Sequence, residues 1–255
     1  MEAFFILKML FLITSTGRCM KNFFQFLLLL IFASLQFWAC KVDNDKALEN
    51  LENTTVVVEE DTAVNNKISK SPYEAPKGWS ELSIENGFII DIKYATEDNF
   101  TKKQIYDCAK CLLRADVAEA IQLLQDHLKA NFNLRIKMFD CYRPAPYQQR
   151  LWDAVPNASY VTPPAKGSMH SRGMAVDLTL VDSLGNELDM GTEYDYFGKE
   201  AHIDHKDLPE HVLANRKFLQ EKMKAYGFDG IRTEWWHFAF TKRYFNLEKF
   251  VWPCE

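Results

Sequence analysis

Hydrophobic periodicity from residue 87 onward predicts a series of strands and helices. Segments rich in β-forming or alternating apolar residues predict four strands, over Gly87–Tyr94, Leu134–Phe139, Met174–Val181 and Trp236–Phe240. Apolar residues at helical spacing predict helices over Arg114–Ala130, Pro144–Trp152 and Pro209–Tyr226. Ser183–Asn186 supplies the glycine of a hairpin turn. Helices combined with hairpin-linked strands indicate an α+β domain with a mainly antiparallel sheet flanked by helices.

The first 40 residues have a different pattern, typical of an export signal. Phe23–Ala39 is an uncharged apolar run that follows Met20 and Lys21 and precedes Cys40. Cys40 is the predicted lipidation site of a lipoprotein leader, and Met20 is the more natural start. A simple membrane anchor remains the alternative, because 17 apolar residues are at the lower limit for spanning a bilayer. In both cases the rest of the chain is exported, to the periplasm or to a membrane-anchored position.

The next 37 residues, 41–77, have a composition typical of a flexible tether. They are rich in Asn, Asp, Glu, Lys and Thr and have few large apolar side chains, so they cannot bury much surface. The predicted organisation is therefore a leader over 1–40, a tether over 41–77 and a single domain over 78–255. Contact with a membrane is expected only through the leader or its lipid.

Charge and cysteine content narrow the function classes further. The chain has 30 Lys and Arg against 35 Asp and Glu, a net charge of −5, which argues against a nucleic-acid partner. Beyond the leader lie Cys108, Cys111, Cys141 and Cys254, an even number that favours disulfides in an exported protein. Free buried thiols, or a structural zinc site at the Cys108–Cys111 pair, remain alternatives, and three disulfide pairings are possible.

Two clusters carry the candidate chemistry. His170 precedes Asp177, which lies inside an apolar strand, and Glu234 precedes His237 among large aromatic residues. Two His and one Asp would leave a fourth zinc position open, with Glu234 as a separate proton acceptor. The alternatives are a structural His170–Asp177 pair and a Glu234 ion pair with Arg232 or Arg243. Because residues three apart on a strand point to opposite faces, Glu234 and His237 can share a metal only if Glu234 lies in a loop or bulge.

The same residues resemble a known family. The blocks His170–Leu180 and Glu234–His237 resemble the signature of the zinc D-alanyl-D-alanine dipeptidases, the vancomycin-resistance type among the zinc D,D-peptidases. Further matches occur in the family's order at Lys93–Thr96, Asn99–Phe100, Asp140–Pro144, Met190–Gly191 and Asp195. The resemblance covers about residues 88–240 and implies a zinc D,D-peptidase or hedgehog-like fold.

The resemblance also implies a role for each matching residue. His170, Asp177 and His237 would bind one zinc ion, Glu234 would act as general acid and base, and Arg143 would stabilise the oxyanion. Around the substrate, Asp195 and Tyr94 would lie near its ammonium end, Ser168 near its scissile or carboxylate end, and Asp140 would support Arg143. His202 and His205 are interpreted as part of a solvated loop.

The implied activity is hydrolysis of D-alanyl-D-alanine or a related D,D-dipeptide. An exported enzyme of this type would act in cell-wall peptide turnover rather than in antibiotic resistance. Two alternatives remain open: a D,D- or L,D-carboxypeptidase acting on muropeptides, and a noncatalytic zinc-containing binding module of the envelope.

Overall fold

A computed structural model describes residues 73–254 of the protein. The predicted leader, the lipidation site Cys40 and most of the predicted tether lie outside these described residues. Within residues 73–254, none of the helices combines the length and the apolar character needed to cross a bilayer.

Seven strands and three α-helices form the described part of the chain. The strands are β1 (Trp79–Leu82), β2 (Ile89–Ile90), β3 (Cys111–Arg114), β4 (Arg135–Asp140), β5 (Ala175–Val181), β6 (Phe228–Ile231) and β7 (Glu234–Phe240). The helices are α1 (Ala115–Phe132), α2 (Ala145–Ala154) and α3 (Glu210–Ala225). The five-stranded sheet has the order β2-β4-β5-β7-β6, and β1 pairs with β3 in a separate two-stranded sheet. Only the β2–β4 pair is parallel, so the predicted α+β fold with a mainly antiparallel sheet is confirmed.

The core lies where helix α1 and the central strands bury their apolar faces. Val117, Ile121, Leu124 and Leu128 recur on one side of α1 and are all fully buried. Every residue of β5 is buried, which matches its near-continuous apolar sequence. The central strands are therefore rigid supports for any side chain that they present.

The predicted strand over Gly87–Tyr94 is wrong in its second half. The strand ends at Ile90, and Lys93–Ala95 forms a 3₁₀ turn with Tyr94 buried. The Asp91 N–H donates the last hydrogen bond to Met138, and the turn then closes with a bond from the Ala95 N–H to the Ile92 carbonyl. The turn buries Ile92 and Tyr94 just as a strand would. A two-residue period of apolar residues therefore cannot distinguish this turn from a strand.

Two disulfides join distant parts of the domain. Cys108 pairs with Cys254, and Cys111 pairs with Cys141. The disulfide prediction is thus confirmed, and the alternative of a structural zinc site at Cys108 and Cys111 is wrong because each residue has a different covalent partner.

Candidate metal and substrate site

Adjacent central strands place three acidic or imidazole side chains in a row. Asp140 on β4 is opposite Asp177 on β5, and Asp177 is opposite His237 on β7. Cross-strand neighbours lie about 4.5–5.5 Å apart, so the ladder itself brings these side chains together. Asp140 and Asp177 are almost fully buried, and their cost of burial requires charged or hydrogen-bonding partners.

His170 reaches this row from a short 3₁₀ turn, His170–Arg172, that precedes β5. The turn ends at Gly173, whose φ of 69° is left-handed, and a Cβ there would lie 2.4 Å from the Trp79 ring. Glycine is therefore required both by the backbone and by the close approach. The Nδ1 of His170 donates to the Cys141 carbonyl at 2.8 Å, so in the neutral imidazole Nε2 is the nitrogen that can bind a metal.

The ligand triad, defined here as His170, Asp177 and His237, has the geometry of a zinc site. His170 Nε2 lies 3.2 Å from His237 Nδ1 and 3.3 Å from Asp177 Oδ1, and the last two atoms are 2.9 Å apart. A tetrahedral ion with bonds of about 2.0–2.1 Å would place its ligand atoms roughly 3.3–3.4 Å from one another. The three donor atoms converge at nearly that spacing and fit zinc by both chemistry and distance.

The electrostatics of the triad favour an ionised carboxylate. Burial would raise the pKa of Asp177, but the His170 and His237 imidazoles outweigh it and hold that pKa well below its usual value. Tyr194 donates its hydroxyl to the second carboxylate oxygen of Asp177 at 3.0 Å. Asp177 thus keeps one oxygen for a metal while the other is held in place, the arrangement that orients a metal ligand.

Glu234 stands beside the triad without belonging to it. It is the first residue of β7, at a register shift between β6 and β7, which satisfies the condition that it lie at an irregularity. Its Oε2 is 3.9 Å from His237 Nδ1, and burial raises its pKa above the usual value. Arg232 and Arg243 pair instead with Asp204 and Asp116, so Glu234 is not a structural ion-pair partner of either.

Arg143 is held firmly at the edge of the cavity. Asp140 accepts from its Nη2 at 2.6 Å and from its Nε at 3.2 Å. Tyr106 also accepts from Nε, and Gln148 accepts from Nη1. Burial would lower the pKa of Arg143, but the charge of Asp140 outweighs it and raises the pKa. The guanidinium therefore stays charged and fixed, with Asp140 as its support.

Tyr94 and Asp195 meet on the other side of the cavity. Although the two residues are 101 positions apart, the Tyr94 hydroxyl donates to Asp195 Oδ2 at 2.8 Å. Burial raises the pKa of the Asp195 carboxyl well above its usual value, and the charge of Asp177 adds to this effect. Asp195 also has a φ of 57°, an uncommon conformation that Asp tolerates better than most residues.

Ser168 lies on the loop that leads to His170. Its hydroxyl accepts from the Ser171 N–H at 3.1 Å and lies 3.2 Å from the Ser171 hydroxyl. It therefore helps to hold the turn that carries His170, and it also lines the cavity.

Most of these residues line one cavity of about 430 Å³. Its walls include the ligand triad and five other predicted residues, Tyr94, Arg143, Ser168, Asp195 and Glu234. Asp140 lies behind Arg143, as predicted. Three residues absent from the sequence prediction support this site: Tyr106 and Gln148 accept from Arg143, and Tyr194 donates to Asp177. Tyr106 and Tyr194 lie far along the chain from these partners, and Gln148 lies outside the motifs that pointed to the site.

The second histidine pair lies apart from this cavity. His202 contacts Arg232 through Nδ1 at 3.0 Å. Over residues 73–254, the ligand triad is the only group of three His, Cys, Asp or Glu side chains close enough to share an ion.

Comparisons with known proteins point in one direction. A family model described as D-ala-D-ala dipeptidase matches residues 82–251. A D-alanyl-D-alanine dipeptidase of Escherichia coli is 42% identical over 149 residues, which cover 58% of this chain and 77% of that enzyme. The D-alanyl-D-alanine dipeptidase of Enterococcus faecalis is 29% identical over 200 residues, which cover 64% of this chain and 98% of that enzyme.

A solved structure is similar at a lower level. A vancomycin-resistance D,D-pentapeptidase in complex with Zn(II) is 17% identical, with a TM-score of 0.35. The match covers 51% of this chain and 73% of that one.

Proposed function

Because this chain belongs to the D-Ala-D-Ala dipeptidase family, we propose that it hydrolyses D-alanyl-D-alanine, or a related D,D-dipeptide, to free amino acids with one zinc ion. The observation that supports this most is the convergence of the ligand triad, Glu234, Arg143 and Asp195 on one cavity. When bound at the triad, zinc would polarise the scissile carbonyl and lower the pKa of the attacking water.

Glu234 is the group that moves protons. Its raised pKa brings the carboxyl closer to the working pH, where a side chain both accepts and returns a proton efficiently. The carboxylate takes a proton from the attacking water and gives it to the amine that departs when the peptide C–N bond breaks. Its position outside the triad leaves it free for both transfers.

Arg143 meets the negative charge that develops on the carbonyl oxygen. Three partners already hold its guanidinium, so little reorganisation is needed when that charge appears. A buried and permanently charged group is worth more in such a cavity than in water.

The Tyr94–Asp195 pair supports a dipeptidase over a carboxypeptidase. Burial disfavours the ionised form of Asp195, and a free ammonium beside it would offset that cost and favour the carboxylate. A longer muropeptide would place a neutral amide there and leave Asp195 without a cationic partner.

We also propose that the protein acts outside the cytoplasm, in turnover of cell-wall peptides. The two disulfides support an oxidising compartment, and the apolar run Phe23–Ala39 supports export. Cell fractionation tests this, with a Cys40→Ser variant to detect lipid attachment. A soluble cytoplasmic protein with reduced cysteines would contradict the location but not the activity.

A substrate panel tests the activity. Zinc-loaded protein is expected to release D-alanine from D-Ala-D-Ala much faster than from N-acetyl-D-Ala-D-Ala or a pentapeptide, and a chelator should abolish the release. Faster cleavage of the pentapeptide would favour the carboxypeptidase. Binding without release from any substrate would favour a noncatalytic module.

A further inference from the structure

The Cys111–Cys141 disulfide joins the two sheets directly behind the ligand triad. Cys111 begins β3 of the two-stranded sheet, and Cys141 immediately follows β4 of the five-stranded sheet. Both cysteines are buried, and a single hydrogen bond from the Tyr142 N–H to the Leu112 carbonyl runs beside the disulfide. The disulfide is thus the covalent link between the sheets at this point.

The segment that follows β4 has fewer contacts with the five-stranded sheet than the paired residues of β4 have. The β4–β5 register shifts between Met138 and Asp140, and the strand ends at Asp140. Cys141 therefore lies beyond the ladder that fixes Asp177. Beyond the ladder, its position depends on the Asp140 side chain and on contacts with the two-stranded sheet.

The backbone of Cys141 contacts the catalytic apparatus on both sides. Its carbonyl accepts from Nδ1 of His170 at 2.8 Å, and its N–H donates to Asp140 Oδ1 at 2.9 Å. Asp140 in turn holds Arg143, whose N–H donates to the His170 carbonyl at 3.2 Å. Movement of Cys141 would therefore change the direction in which His170 presents Nε2.

We propose that the Cys111–Cys141 disulfide is a positioning element of the metal site, which fixes the carbonyl that orients His170. The proposal rests on the zinc site proposed above. Partners that orient a metal ligand typically contribute 10–100-fold to metal affinity. The disulfide acts through such a partner, so its loss should weaken zinc binding by about tenfold.

The other disulfide offers a matched control. Cys108 and Cys254 are more exposed, and neither is hydrogen-bonded to a residue of the triad among the described contacts. The Cys108–Cys254 disulfide closes a loop of 146 residues, against 30 for Cys111–Cys141. In the chain-entropy model the longer loop gives the larger stabilisation, so removal of the control disulfide should destabilise the fold more.

The experiment compares two double variants in otherwise unchanged protein. Cys111→Ala with Cys141→Ala removes the proposed positioning disulfide, and Cys108→Ala with Cys254→Ala removes the control. Zinc affinity is measured by competition with a chromophoric chelator at a temperature where circular dichroism shows both metal-free variants folded. Cobalt(II) absorption reports the coordination geometry separately. If the first variant does not fold, Cys111→Val with Cys141→Ala refills the buried volume.

The two variants are expected to rank in opposite orders for stability and for metal binding. The Cys111/Cys141 variant should lose about tenfold in zinc affinity and show an altered cobalt spectrum. The control variant should keep its zinc affinity and its cobalt spectrum, although its metal-free melting temperature should fall more than that of the Cys111/Cys141 variant. Unchanged affinity in the first variant, or equal losses in both, would overturn the proposal. Failure of the wild type to bind zinc would overturn the proposed function, and this inference with it.

Discussion

The two sides of the cavity are built in different ways. Asp177 and His237 are cross-strand neighbours on central strands, so the hydrogen-bonded ladder sets their separation. Tyr94 and Asp195 lie on turns and meet through one side-chain hydrogen bond. The proposed metal-binding side therefore depends on the fold as a whole, whereas the proposed recognition side depends on a side-chain contact that can change without changing the fold.

The largest expected effect is on the metal-binding side, at Glu234. Glu234→Gln keeps the size of the side chain but removes the proton acceptor. We expect kcat to fall by about 10²–10⁴-fold, since general acid–base catalysis contributes that much. Zinc affinity should stay unchanged because Glu234 lies outside the triad. Steady-state kinetics and chelator competition on one preparation check this, and a parallel loss of zinc would identify Glu234 as a ligand instead.

Arg143 lies between the two sides and should have the next largest effect. Arg143→Ala is expected to lower kcat by about 10²–10³-fold, the usual effect of losing a group that stabilises an oxyanion. Arg143→Lys keeps the charge but not the fork that contacts Asp140, Tyr106 and Gln148. We expect this variant to be intermediate. Wild-type kcat in Arg143→Ala would show that the guanidinium is only structural.

On the recognition side we expect a loss in substrate selectivity. Asp195→Asn should lower kcat/KM for D-Ala-D-Ala by about 10–150-fold, equivalent to a charged hydrogen bond of about 1.5–3 kcal/mol. The same change should have little effect on N-acetyl-D-Ala-D-Ala, which has no ammonium. Tyr94→Phe is the matched control, because it removes only the hydroxyl that holds Asp195. Equal losses on both substrates would place Asp195 outside ammonium recognition.

The smallest effect is expected at Asp91, which follows the edge strand β2 of the large sheet. Burial would raise the pKa of Asp91, but hydrogen bonds from Lys137 and Lys93 outweigh it and lower that pKa. A pKa that is lower in the folded state stabilises the protein at pH values above the unfolded-state pKa of about 3.9. This stabilisation is lost as the pH falls through the folded-state pKa. Because the pair is partly exposed, Asp91→Asn should cost under about 1 kcal/mol at pH 7. Urea unfolding at pH 7 and at pH 2.5 checks this, and an undiminished cost at pH 2.5 would contradict it.

The same contrast explains how much of the fold could be predicted from the sequence. The long periodic segments gave correct elements, including α1, α3, β4 and β5. The short strands β1, β3 and β6 were missed, because four residues carry too little periodicity to identify a strand. The error at Tyr94 has a related cause, since a buried turn and a buried strand share the same local pattern.

The sequence points to candidate residues that lie in short motifs and gives no sign of those that only the fold brings to the site. All three members of the triad, with Glu234 and Arg143, were found within short blocks that resemble a known family. Tyr194 supports Asp177 from 17 positions away, and Tyr106 supports Asp140 from 34 positions away. Such contacts follow from the packing of the sheet and leave no pattern along the chain.

Strand register and one 3₁₀ turn together build the proposed zinc site. Anomalous diffraction at the zinc absorption edge, from crystals of zinc-loaded protein, tests this most directly. We predict one strong peak about 2.0–2.2 Å from His170 Nε2, Asp177 Oδ1 and His237 Nδ1. A zinc peak elsewhere, or none between these three atoms, would show that the triad is not the zinc site.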